Sequence, residues 1–103
     1  MVSGELITEI VARVVEAANP TRVILFGSHA RGDADPDSDI ELLIIVKETD
    51  SRRELAIKTR TALREVRRPF DIIIAEEGDV KFYGDTPGTV IYPALREGVV
   101  IYE

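Results

Sequence analysis

The chain has no cysteine and a single histidine, His29, among its 103 residues. The first absence removes disulfide frameworks, thiol nucleophiles, Cys-type zinc sites and iron–sulfur clusters; the second removes His-pair metal motifs. Long apolar runs are missing as well. The longest, Leu42 to Val46, has five residues, against roughly 20 needed to span a bilayer. The first helix-like segment carries Glu5 and Glu9 and lacks a basic leader, so no secretory signal is read. A cytoplasmic, soluble protein without a membrane partner is expected. Basic residues are the minority, 13 Lys+Arg against 19 Asp+Glu for a net charge of −6, which argues against nonspecific coating of nucleic acid. Catalysis, if present, must run on carboxylates, hydroxyls, Arg/Lys and hard, oxygen-liganded metals.

What is present suits one compact domain over 1–103: 45% of residues are apolar, enough for one core at this length. Residues 5–18 place Leu6, Ile7, Ile10, Val11, Val14, Val15 and Ala18 on an amphipathic helical stripe, with Ser3 as N-cap and Asn19-Pro20 as stop. Thr21–Phe26 reads as a strand ended by Gly27. Ile40–Val46 is apolar on both faces beyond Glu41 and predicts a central, buried strand. Arg52–Arg67 reads as a helix, and Phe70–Ala75 as a third strand. Thr86-Pro87 predicts a helix start and Gly98 its end, before a short strand Val99–Tyr102. The order α-β-β-α-β-α-β predicts an α/β or α+β domain with a small mixed sheet.

The informative stretch is GSHARGDADPDSDIE, Gly27 to Glu41. A P-loop is excluded because Asp33 and Ala34 stand where Lys and Ser/Thr belong. An EF-hand is excluded because Ser38 replaces the turn glycine and Ile44 the bidentate Glu. Arg31-Gly32-Asp33 spells an adhesion tripeptide by coincidence. Asp39 and Glu41, two apart at a strand entry, point to one face with Cα atoms about 6.6 Å apart. Asp71 takes the equivalent early place in FDIII. If the two strands are neighbours, three carboxylates converge; like charges about 4 Å apart repel by roughly 4 kcal/mol, so such a cluster takes up protons or holds cations. An oxygen-only set favours Mg²⁺ completed by phosphates. Gly27-Ser28 can aim backbone N–H groups and a hydroxyl at an anion, and Arg31 can add a charge-assisted phosphate contact.

These residues resemble a known family. Gly27-Ser28 followed by Asp39-x-Glu41 is similar to the GS…DxD signature of the DNA polymerase β-like nucleotidyltransferases. The fuller string GSHARGDADPDSDIELLIIV resembles the GSxARG…SDxDL stretch of the minimal nucleotidyltransferases, antitoxin partners of HEPN-domain toxins. FD on the third strand and the closing LREGVVIYE extend the resemblance over nearly the whole chain. It implies Gly27 and Ser28 at the triphosphate, Asp39, Glu41 and Asp71 at two Mg²⁺ ions, and Asp71 as activator of the attacking hydroxyl. It also implies ATP as substrate and transfer of AMP to a tyrosine of a HEPN-type toxin. Glu41 departs from the family's usual Asp by one methylene; a displacement of about 1 Å can cost about a hundredfold in rate. The alternatives are a module that keeps the fold and neutralises its partner by contact, and a nucleotide-sensing domain. The shortness of the chain favours a protein acceptor over a nucleic-acid one.

Other residues carry plainer expectations. Asp33, Asp35 and Asp37 suit a solvated turn, His29 a structural or exposed place, and Tyr83, Tyr92 and Tyr102 packing with a polar tip. Seven of the 13 basic residues lie between Arg52 and Arg68. Arg60 and Arg64 are like charges at i, i+4 and mildly destabilising, so a patch for an acidic partner or a nucleic-acid acceptor stands beside a merely solvated face.

Overall fold

The computed structural model describes residues 2–83, 86–89 and 91–103. Four strands form one mixed sheet: β1 (Arg22–Phe26), β2 (Ile40–Val46), β3 (Phe70–Glu76) and β4 (Val99–Tyr102), in spatial order β3-β2-β1-β4. β1 runs antiparallel to both β2 and β4, and β2 and β3 are parallel. β2 is therefore interior, as its two apolar faces predict, and Leu42 to Ile44 are fully buried. This is a small α+β domain.

The helices divide between the sheet's faces. α1 (Gly4–Ala18) begins at Ser3, whose Oγ accepts from the Leu6 N–H at 3.1 Å, and ends at Asn19 in the left-handed region, φ 47°. Its Ile10 and Val14 join Leu63 of α3 (Arg52–Leu63) over the even-numbered residues of β2 and β3. The opposite face, with Leu43, Ile45 and Ala75, packs against Val80 of α4 (Glu77–Tyr83) and Ile91 and Ala94 of α5 (Ile91–Glu97). Among the described residues no helix is long and apolar enough to cross a membrane.

Four elements differ from the expected order. α2 (Ser28–Arg31) is a single turn directly after β1. The helix expected to reach Arg67 leaves α-geometry after Leu63 and continues as a 3₁₀ turn, Arg64–Val66, that ends at Arg67 in the left-handed region, φ 58°. α4 was not foreseen. The last helix starts at Ile91 rather than at Pro87. Gly88, φ 94°, reverses the chain, and the Thr89 Oγ accepts from the Tyr92 N–H at 3.3 Å. Pro93 then falls in the helix's first turn, where its missing N–H costs nothing. Gly98 is the residue for close approach: a β-carbon there would overlap the Ala94 carbonyl and the Ile24 side chain. Tyr102 packs on the core and Tyr92 lies under Arg96, 5.3 Å from its ring centroid; the Tyr83 side chain lies outside the described residues.

Candidate active site

The parallel register sets Glu41 beside Asp71, and the antiparallel one sets Phe26 beside Glu41. The last residue of β1 therefore meets the first turns of β2 and β3 at one end of the sheet, and the chain leaves β1 through Gly27-Ser28 at that same place. Alternation puts Glu41 and Asp71 on the face of Leu43, Ile73 and Ala75. That face is covered by α4 and α5 farther along and is open here: Asp39 and Asp71 are exposed, Glu41 half-buried.

Gly27 has φ 75° and ψ −156°, a conformation that residues with a side chain rarely adopt. A β-carbon at Gly27 would overlap the Glu41 carboxylate. The glycine thus lets an acid from the neighbouring strand lie directly against the backbone of the turn. Its carbonyl accepts from the N–H groups of Ala30 at 3.1 Å and Arg31 at 3.0 Å, which starts α2. Ser28 is half-buried, and its hydroxyl has no hydrogen-bond partner among the described residues. Gly32, φ 85°, closes the turn by donating to the Ser28 carbonyl at 3.0 Å.

His29 is buried, 3% exposed, and its Nε2 lies 3.0 Å from the Ser38 carbonyl. A carbonyl only accepts, so Nε2 carries the proton, while Nδ1 is buried without a partner among the described residues. The imidazole fastens the glycine–serine turn to the residue before Asp39. The expectation of a structural histidine is met, though the link it makes was not foreseen: a one-turn helix offers no periodicity from which to read an inward face. Asp35 organises the loop between, its Oδ1 accepting from the Asp37 N–H at 2.9 Å and the Ser38 hydroxyl at 3.2 Å. Arg31, expected at a phosphate, donates from Nε to Asp33 Oδ2 at 3.2 Å, with side chains 48% and 62% exposed.

The three acids share one end of the sheet, yet among the described residues no group of three or more acids or histidines is drawn together closely enough to hold a metal ion. The expected convergence is one of strand position and not of carboxylates. Mutual repulsion separates exposed, uncompensated acids, and the Glu41 carboxylate is folded over Gly27. The donor chemistry, oxygen only, still suits a hard divalent cation, and the Gly27 contact shows that this end of the sheet admits a charged group against the backbone.

A mixed four-stranded sheet with a glycine–serine turn facing acids on the two neighbouring strands defines the nucleotidyltransferase class of fold. The chain belongs to the polymerase β nucleotidyltransferase family, which it matches over residues 7–103. It is 45% identical over 58 residues to "Putative protein adenylyltransferase MJ0141" of Methanocaldococcus jannaschii, an alignment covering 52% of this chain and 54% of that protein. The chain thus aligns with about half the length of this relative. In fold it is similar to a "putative nucleotidyltransferase" from Sulfolobus solfataricus, with TM-score 0.60, 22% identity and coverage of 91% of this chain and 75% of that one. It is also similar to a chain of a toxin–antitoxin crystal structure with AMP-PNP, with TM-score 0.57, 22% identity and coverage of 93% and 72%. A mutant of the toxin–antitoxin pair MntA–HpeT gives 0.53, 21%, 89% and 69%.

Proposed function

We propose that the protein transfers AMP from ATP to a hydroxyl of a protein partner, a tyrosine of a HEPN-type toxin, and so silences it as an antitoxin. The observation that carries this is the register that sets Phe26, the residue before the Gly27-Ser28 turn, beside Glu41 and Glu41 beside Asp71: a glycine–serine turn and two acids on adjoining strands. The relative named as a protein adenylyltransferase and the toxin–antitoxin folds support the choice of acceptor.

Each residue has a distinct task. Gly27 leaves room for a phosphate to approach the backbone, and the Ser28 hydroxyl donates to a phosphate oxygen. Asp39, Glu41 and Asp71 would hold Mg²⁺, two ions in the full arrangement, which supplies Lewis-acid stabilisation of charge on the transferring phosphate. Asp71 takes the proton of the acceptor hydroxyl as its oxygen bonds to the α-phosphorus. The bond to pyrophosphate breaks in the same in-line displacement.

Incubation with α-labelled ATP, Mg²⁺ and the product of the adjacent gene tests this. Label on the partner that disappears in Asp39→Asn supports transfer; unlabelled partner, neutralised equally by the parent and by Asp39→Asn, overturns it. A second reading, neutralisation by contact alone, is favoured by one observation: the Glu41 carboxylate sits on Gly27 and not in a cluster with Asp39 and Asp71. Under that reading the parent transfers no label, and Glu41→Asp, which shortens the reach by one methylene, gains the activity.

A further inference from the structure

Among the described residues, three of the chain's ten arginines meet a carboxylate. Arg13 meets Glu65 at 3.4 Å, Arg31 meets Asp33 at 3.2 Å, and Arg52 meets Glu76 at 2.8 Å and Asp79 at 2.7 Å. The other seven meet none among the described residues, although acids outnumber bases 19 to 13, and of these Arg60, Arg64 and Arg68 lie together. All three line one groove of about 310 Å³ with Thr61, Leu63 and Phe70.

Local structure assembles this groove. Arg60 Nη1 donates to the Phe70 carbonyl at 3.2 Å, which holds that guanidinium over the start of β3. Arg67, φ 58°, reverses the chain after the 3₁₀ turn and returns Arg68 to the side of Arg60 and Arg64. Glu65, the one acid between Leu55 and Phe70, is turned away to Arg13 on α1. Positive charge is thus gathered on one surface, and the acid that could neutralise it is engaged elsewhere.

The groove's place gives it meaning. Phe70 lines it, and Asp71 follows on the same strand with its side chain on the opposite face. β3 is an edge strand, so a polypeptide crossing its first residues reaches the arginines on one side and Asp71 on the other. We infer that this groove receives an acidic segment of the acceptor protein and brings its hydroxyl to Asp71. This names the recognition surface for the transfer proposed above and rests on that proposal. Three guanidiniums around a partly apolar floor, buried Leu63 and half-buried Phe70, match carboxylate side chains flanking an apolar one. A nucleic-acid strand needs phosphate contacts along an extended basic track, whereas this groove offers three arginines around an apolar floor.

Fluorescence anisotropy with a fluorescein-labelled peptide of alternating Glu and Leu, at low salt, tests the inference on the whole chain. The parent binds the peptide, and Arg64→Glu with Arg68→Glu weakens binding at least about tenfold while leaving the Arg60 bond to Phe70 in place. Removal of an equal number of basic residues outside the groove, Arg53→Gln with Lys58→Gln on α3, changes affinity by less than about twofold. The milder pair Arg64→Gln with Arg68→Gln, expected to weaken binding about threefold, covers loss of folding in the charge-reversed protein. Equal peptide affinity in parent and in both Arg64/Arg68 variants overturns the inference, as does tighter binding of an oligouridylate of the same charge. Affinity for a fluorescent ATP analogue is read in parallel and stays unchanged in these variants. Loss of label transfer with peptide binding intact is a failure of the proposed chemistry, and the reverse is a failure of the groove.

Discussion

The two faces of the sheet meet the same strands and are built differently. One is closed by α1 and α3, of 15 and 12 residues, over a continuous apolar layer from Val23 to Ile74. The other is closed by α4 and α5, seven residues each, and its apolar layer gives way to Glu41 and Asp71 at one end. Acids can stand open to solvent on the second face because the first face holds the strands that carry them. Leu42 and Leu43, adjacent on β2 and both wholly buried, face opposite ways. Leu42→Ala is expected to cost about 4 kcal/mol and Leu43→Ala about 2.5 kcal/mol, because short helices can settle into a cavity that two long ones cannot. Urea denaturation of both checks this, and equal costs would break the contrast.

Gly27→Ala comes next in size. Its backbone conformation costs a side chain about 1–3 kcal/mol, and the new methyl displaces the Glu41 carboxylate. We expect about 2 kcal/mol of lost stability and loss of measurable nucleotide binding. In the double variant with Glu41→Ala the overlap disappears while the backbone strain stays, so stability returns in part. Simple additivity in that cycle would mean that the carboxylate is not held against the turn.

His29→Phe keeps the ring's bulk and removes the donor to Ser38, for about 1 kcal/mol. Its sharper effect falls on the open face: the loop leading to Asp39 loosens and KM for ATP rises. His29→Gln, which offers an N–H at a similar reach, recovers part of that KM. An unchanged KM in His29→Phe would leave the histidine as packing only.

How far these features were legible from sequence depends on whether a local signal specified them. Both ends of β2 and β4, the Ser3 cap and the Asn19 stop follow from apolar runs and cap chemistry that act within a few residues. α4 did not, because Glu77-Gly78-Asp79 has turn composition; it is a helix because Val80 packs on the sheet and the Asp79 carboxylate accepts from the Glu76 N–H at 2.9 Å. The acids and the Gly27-Ser28 turn were readable as a set from their spacing. The position of the Glu41 carboxylate over Gly27 was not, since it depends on the pairing of Phe26 with Glu41 across strands. The ion pair of Arg31 with Asp33 is a contact between residues two apart that the reading of the motif did not include.

The smallest expected effect concerns the place where the helices of the two faces are joined. Arg52, at the start of α3, donates from one nitrogen to Glu76 at 2.8 Å and Asp79 at 2.7 Å, tying the closed face to the end of β3 and to α4. The hydrogen bond to Glu76, above all, holds the guanidinium's pKa above its ordinary range. A pKa raised by folding adds stability that is complete below the unfolded value and is lost only as pH climbs through the folded one. That window lies in strong base, so between about pH 7 and about pH 10 the difference between parent and Arg52→Gln should stay flat. Half of the Arg52 side chain is exposed, 49%, and solvent screening limits the pair to under about 1 kcal/mol, shrinking further in molar salt. Urea curves at low and high salt read this directly. A difference above about 2 kcal/mol that salt does not touch would show that α4 depends on this anchor far more than an exposed ion pair allows, and the second face would then be held chiefly from its edge.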